Sequence, residues 1–192
     1  MIAILKYNAG NVCSVAFALR RLGVDAVVTD DVVVLGGADK IIFPGVGAAG
    51  AAMAYLREKR LDEVICSFQK PLLGICLGMQ LMCSFSAEGN VDCLDIFSQK
   101  VRRFDDGECL QHVGWNQIKQ LSSPLFKGIA EDEYQYFVHG YYAEISARTI
   151  AVTNYENAFS AALQRDNFYG VQFHPEKSGP VGQRILQNFL SL

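Results

Sequence analysis

Along the first half of the chain, short continuous apolar runs alternate with stretches in which apolar residues recur every three or four positions. Residues 1–5, 25–29, 40–43 and 71–75 are runs of the first kind, bounded by Gly, Pro, Asn or Asp, as expected of strands buried on both faces. Residues 11–22 place Val12, Val15, Leu19 and Leu22 on one helical face before Gly23 stops the pattern. Helices are also predicted over 48–57, 61–67 and 77–85. Strands alternating with helices predict a largely parallel sheet covered on both sides.

The second half has a different rhythm. Residues 101–104, 114–119, 134–138, 141–145, 150–154, 160–164 and 168–173 are short, rich in aromatic and β-branched residues and separated by turns. They read as antiparallel strands attached to the parallel core. Residues 178–190 close the chain as an amphipathic helix with Val181, Ile185, Leu186 and Phe189 inward. With no repeat, linker or low-complexity segment, residues 1–192 are expected to form one domain. The fold class is α/β, a mostly parallel open sheet flanked by helices with an added antiparallel portion.

Composition narrows the classes of function. The 192 residues are 51% apolar and 19% charged, enough for a full core and unlike a disordered chain. A net charge of −3 argues against nucleic acid or an anionic membrane as the main partner. No apolar run approaches the ~20 residues needed to cross a bilayer. The N-terminal run lacks the basic start and cleavage site of a signal peptide, so a cytoplasmic location is expected. Six cysteines show neither C-x-x-C pairs nor metal-ligand spacing and are expected to be reduced. No metal or cofactor is expected.

One cysteine stands apart. In Leu72-Leu-Gly-Ile-Cys76-Leu-Gly-Met-Gln80 a buried strand runs through G-x-C-x-G directly into a helix. A nucleophile on such a turn sits on strained backbone with close neighbours, hence a glycine two residues to either side. The turn lifts the sulfur above the C-terminal edge of the sheet, where ligands bind in open α/β folds. The following helix directs its N–H groups at the sulfur, and the Leu77 N–H is placed as an oxyanion donor. An isolated cysteine on a core strand would read as packing, which is the reading for Cys83; Cys13, Cys66, Cys93 and Cys109 lack comparable surroundings and are assigned no chemistry.

A cysteine nucleophile needs a base, and the chain has three histidines. His174 ends a strand and is followed by Pro175-Glu176. With Pro175 extended, His174 and Glu176 project to the same side, so the carboxylate can orient the imidazole. His112 and His139 have no carboxylate so placed and read as structural or interface residues. Gly45-Val-Gly-Ala-Ala-Gly50 fits G-x-G-x-x-G, but it follows the third strand, is headed by Pro44 and lacks a strand-ending acid downstream. It reads as a Gly-rich turn beside the cysteine, its N–H groups facing a reacting carbonyl, rather than as a nicotinamide site.

Together, Gly74-Ile-Cys76-Leu-Gly78-Met-Gln80 and His174-Pro-Glu176 resemble the class I glutamine amidotransferases. Within that family the chain is similar, end to end, to the glutaminase subunits of imidazole glycerol phosphate synthase. The finer marks are Tyr7-Asn-Ala-Gly-Asn11, Pro44-Gly-Val-Gly47, His112-Val-Gly-Trp-Asn116, Tyr136-Phe-Val-His-Gly-Tyr141 and His174-Pro-Glu-Lys-Ser178. The resemblance implies a flavodoxin-like amidotransferase fold, a catalytic triad of Cys76, His174 and Glu176, and oxyanion donors around Val46, Gly47 and Leu77, with the peptide at Val46 reorienting. It implies contacts to glutamine from Gln80, Glu88, Gly140 and Tyr141. Its further implication is a heterodimer whose partner, a (β/α)8 barrel synthase, faces Asn11, Trp115, Tyr136 and Lys177 and receives ammonia. Lys6, Val113 and Gly140 depart from the residues common in that group; of these, Gly140 alone borders the expected pocket. Three readings compete: a glutaminase of another pathway, a stand-alone cysteine peptidase or γ-glutamyl hydrolase, and a non-enzymatic binding module.

Overall fold

The computed structural model describes residues 1–7, 11–104 and 111–192. Residues 8–10 of the Tyr7–Asn11 motif and Cys109 lie outside the described residues. The first half contains β1 (Ile2–Leu5), α1 (Val12–Arg21), β2 (Val27–Thr29), α2 (Val32–Gly36), β3 (Lys40–Phe43), α3 (Ala49–Glu58), α4 (Leu61–Ser67), β4 (Leu72–Ile75) and α5 (Leu77–Leu81). The second half contains β5 (Phe85–Ser86), β6 (Val91–Asp92), β7 (Lys100–Arg103), β8 (His112–Gln117), β9 (Tyr134–His139), β10 (Tyr141–Ala143), β11 (Thr149–Asn154), β12 (Ala158–Arg165), β13 (Phe168–Val171) and α6 (Gly179–Leu190).

A seven-stranded sheet in the order β11-β12-β13-β4-β3-β1-β2 forms the centre. From β13 to β2 every neighbouring pair is parallel. Period-2 alternation of side chains sends the two halves of each strand into separate cores. Ala3, Leu5, Ile41, Phe43 and Leu72 pack with residues of α2, α3, α4 and α5 on one face. Ile4, Ile42, Leu73 and Ile75 pack with α1, α6 and aromatic residues of the second half on the other.

Four sequence expectations are revised. The segment 168–173 is not a purely antiparallel addition: β13 pairs antiparallel with β12 but parallel with β4, so it belongs to the parallel core. Most of the remaining second-half strands do not join the central sheet. They form a β10-β7-β5-β6 sheet and a β8-β9 ribbon. The helix expected over 77–85 stops at Leu81, because Phe85 and Ser86 are taken into pairing with β6 and β7. In α6, Gly182 faces inward with Ile185, Leu186 and Phe189, while Val181 is only partly covered.

The described helices include none long and apolar enough to cross a membrane.

Candidate active site

Three neighbouring parallel strands, β3, β4 and β13, deliver the candidate residues at their C-terminal ends. β3 ends in the Pro44–Gly47 turn, β4 runs into Cys76, and β13 leads to His174. This is the sheet edge at which open α/β folds bind ligands.

Cys76 has φ 52° and ψ −111°, a backbone conformation that a side chain other than glycine adopts only under strain. Its N–H is tied to the Val171 carbonyl at 2.8 Å, so the strained residue is anchored to β13. The flanking glycines answer to close packing. A Cβ on Gly78 would lie 1.8 Å from the Phe43 carbonyl oxygen, and one on Gly74 would lie 2.6 Å from Met82 Cε and 2.8 Å from the Met79 amide nitrogen. Glycine at 78 therefore lets α5 press against β3, and glycine at 74 lets the same helix pack down on β4.

The sulfur is buried in the wall of a cavity of about 180 Å³ lined by Val46, Gly47, Leu77, Gln80, Glu88, Val138, His139, Gly140 and Tyr141. Its thiol faces the Val138 carbonyl at 3.9 Å, and the Gln172 side-chain N–H approaches it at 3.7 Å.

His174 is fully buried, and its Nδ1 lies 2.8 Å from Glu176 Oε1. The Asn11 amide donates to the same carboxylate oxygen and lies 3.3 Å from His174 Nδ1. With Nδ1–H donated to Glu176, Nε2 is left as the other ring nitrogen; it is buried, with no hydrogen-bond partner among the described residues. Burial alone would lower the imidazole pKa, but the Cys76 sulfur and the Glu176 carboxylate outweigh it and push the pKa up to about 10. The ring is thus poised to hold a proton beside the sulfur.

The Pro44–Gly47 turn closes the site from the β3 side. Here the Leu77 N–H donates to the Gly45 carbonyl at 3.4 Å, so that donor is engaged by the turn itself. Gly47 has φ 124°, open to glycine and strained for other residues. The Tyr7 hydroxyl sits against Gly45, buried and without a hydrogen-bond partner among the described residues. Burial and the nearby Cys76 raise its pKa well above the usual tyrosine value.

The other expected residues fall in two groups. Gln80 is buried and donates to the Tyr141 carbonyl and to Gln172 Oε1, each at 2.8 Å. Glu88 is half-buried and accepts from the Ala49 N–H at 3.0 Å; burial raises its pKa against that hydrogen bond. Gly140 and Tyr141 line the cavity. Trp115, Tyr136 and Lys177 make a patch outside it: Trp115 is exposed and packs edge-on against Tyr136, over whose ring the Lys177 ammonium lies at 5.9 Å. Asn11 sits between the groups, partly exposed yet bonded to Glu176. The patch is stitched to the base by three bonds: His174 N–H to Tyr136 carbonyl, Tyr136 N–H to Ser178 Oγ, and Ser178 Oγ–H to His174 carbonyl.

Sequence reasoning missed Gln172 and Tyr7. Gln172 is a polar residue in an otherwise apolar strand end, which is the one signal that could have marked it. Tyr7 stood in the Tyr7–Asn11 motif, with nothing to show that its hydroxyl would reach Gly45.

Comparison with known proteins agrees with this geometry. The family model "Glutamine amidotransferase class-I" matches residues 8–192. The imidazole glycerol phosphate synthase subunit HisH of Bacteroides fragilis is 58% identical, covering 100% of this chain and 99% of that protein. The subunit HisH of Haemophilus influenzae is 47% identical over 98% and 96%. Among solved structures, a GMP synthase protein of Thermoplasma acidophilum superposes with a TM-score of 0.79 at 19% identity, over 100% of this chain and 92% of that one. The glutaminase domain of Trypanosoma brucei CTPS gives 0.66 at 17% identity, over 99% and 93%. The chain belongs to the class-I glutamine amidotransferases and, among them, to the HisH subunits of imidazole glycerol phosphate synthase.

Proposed function

We propose that Cys76, His174 and Glu176 carry out the glutaminase reaction of this family in the chain. The Cys76 thiolate adds to the side-chain carboxamide carbon of glutamine. Backbone N–H groups at Leu77 and Val46 receive the oxyanion once the Gly45 carbonyl has turned away. Each such donor is worth about 3 kcal/mol in related chemistry. The C–N bond breaks, His174 hands its proton to the departing nitrogen, and ammonia leaves a γ-glutamyl thioester. Water, deprotonated by His174, releases glutamate and restores the thiol. Glu176 holds the imidazole by Nδ1 and balances its charge. Gln80, Glu88 and the Gly140–Tyr141 backbone hold the amino-acid end of glutamine.

The observation that carries this reading is the 2.8 Å contact of His174 Nδ1 with Glu176, which leaves Nε2 for a sulfur on strained backbone in a cavity wall. Ammonia then passes to a (β/α)8 synthase subunit docked on the face of Asn11, Trp115, Tyr136 and Lys177. The two chains form a heterodimer in the cytoplasm whose lyase step yields imidazole glycerol phosphate and an aminoimidazole carboxamide ribotide. The names of the full-length relatives support that partner. Cys76→Ala is expected to abolish glutamate release from glutamine while leaving the thermal transition and partner binding intact. Wild-type turnover in that variant would remove Cys76 from the mechanism.

A further inference from the structure

The groups around the Cys76 sulfur include one that the reaction scheme leaves unused. Gln172 is fully buried, and its side-chain nitrogen is 3.7 Å from the sulfur. A glutamine side chain can face a thiolate with either end, and only its N–H2 end stabilises the negative charge. Which end it presents follows from a chain of hydrogen bonds whose polarity is fixed.

The chain starts at a group that can only accept. The Tyr141 carbonyl accepts from Gln80 Nε2 at 2.8 Å. The second hydrogen on that nitrogen goes to Gln172 at 2.8 Å, so the Gln172 atom it meets is the oxygen. The Gln172 N–H2 is thereby turned to the sulfur.

The same carbonyl is also met by His139 Nδ1 at 2.7 Å, which must carry the proton there. His139 Nε2, 3.1 Å from His112 Nδ1, is then the acceptor of that pair. His112 Nε2 in turn accepts from the Asn116 amide at 3.2 Å, and that amide is held by the Asn154 carbonyl at 2.9 Å. Every member of the series has one tautomer or one orientation. Both rings stay neutral, with burial lowering His112 to about 4 and His139 to about 3; the latter is opposed by its bond to Tyr141 and reinforced by His112 and His174.

We infer that Gln172 is a positioning residue that stabilises the Cys76 thiolate, its N–H2 end turned to the sulfur by a hydrogen-bond relay of Gln80 and the Tyr141 carbonyl, which His139 holds from its other side. The inference rests on Cys76 being the nucleophile. It also gives the ribbon that carries Trp115 a bonded route to the sulfur.

The test is site-resolved alkylation of the intact chain with iodoacetamide, read by mass spectrometry, with exposed Cys13 as the internal reference. Titratable groups facing the sulfur or its cavity are His174 with Glu176 behind it, Tyr7, His139, Tyr141 and Glu88, and none of them is changed in the Gln172 variants. In wild type at pH 7, Cys76 is expected to react faster than Cys13. In Gln172→Met, Cys76 slows about tenfold at pH 7 with Cys13 unchanged, and the deficit narrows as the pH is raised, because a lost thiolate donor is felt only where ionisation limits the rate. Gln172→Glu, which keeps the shape and puts an acceptor on the sulfur, slows it further and serves if the methionine variant fails to fold. His139→Phe, which loosens the Tyr141 carbonyl, gives a smaller slowing, about threefold, of the same pH form. A wild-type rate in a folded Gln172 variant overturns the role of Gln172, and a wild-type rate in His139→Phe overturns the relay. A wild-type Cys76 no faster than Cys13 instead defeats the nucleophile assignment itself.

Discussion

In the proposed reaction one carboxylate, Glu176, controls much of the chemistry. It sits beneath the imidazole, accepts from Nδ1 and is itself held by Asn11. Its charge helps keep His174 protonated against the effect of burial. Glu176→Gln keeps the shape and removes the charge, so the ring loses both its orientation and its electrostatic support. Glutamate release is expected to fall by roughly two orders of magnitude in kcat with little change in KM, since the lost interaction matters most in the transition state. Steady-state kinetics at saturating glutamine check this, and a kcat within twofold of wild type would contradict it. At the same scale, the sequence marked Cys76, His174 and Glu176 as candidates because each sits in a short motif with local geometry. Gln172 was hidden because its significance depends on Gln80 and Tyr141, distant positions that fix which end of its side chain meets the sulfur.

Among the elements, the short helix α5 has the most bearing on the site. It extends only from Leu77 to Leu81, yet it lies so close to β3 that Gly78 abuts the Phe43 carbonyl. Gly78→Ala must push helix and strand apart, displacing the Leu77 N–H proposed to receive the oxyanion as well. The expected cost is about 3 kcal/mol of stability, seen as a lower urea midpoint, together with loss of turnover; an unchanged midpoint would mean the contact is soft. The end of β3 was legible because Pro44 follows it, and α4 also falls where the helical pattern put it. β13 was placed in the wrong company because a four-residue apolar run does not state its neighbours. It is parallel to one and antiparallel to the other. The helix α2 went unread because its three valines favour strands, although Asp31 caps the N–H groups of Val33 and Val34 at 2.8 and 3.1 Å and was the available sign.

For the whole molecule, the buried imidazole pair sets a response to acid. His112 and His139 have pKa values near 4 and 3 when folded, below the ~6.5 of an unfolded chain. Their contribution to stability is complete above pH ~6.5 and is lost as pH falls from there towards 3, because the unfolded chain takes up protons the folded one refuses. His174, shifted upward instead, is protonated in the folded state throughout that window and in the unfolded chain over most of it, so it adds little slope. Urea denaturation at pH 6.5 and 4.5 is expected to differ by roughly 2–5 kcal/mol, and a flat profile would deny the buried neutral pair. The resting bond from the Leu77 N–H to the Gly45 carbonyl bears on regulation at the same scale. Glutamine hydrolysis by the chain alone is expected to be slow and to rise at least about tenfold when the nucleotide-loaded barrel partner is bound; equal rates in a glutamate-release assay would contradict it.

The assembly of the site from β3, β4 and β13 also fixes a sequence of events in time. A ribosome delivers the elbow of Cys76 long before the strand that carries His174, and β13 must slot in beside β4, through contacts remote along the chain, before a base stands near the sulfur. A nascent or partly folded chain therefore carries a thiol without a catalyst. The strand of the parallel core that comes last along the chain is thus the one that brings His174 beside the elbow.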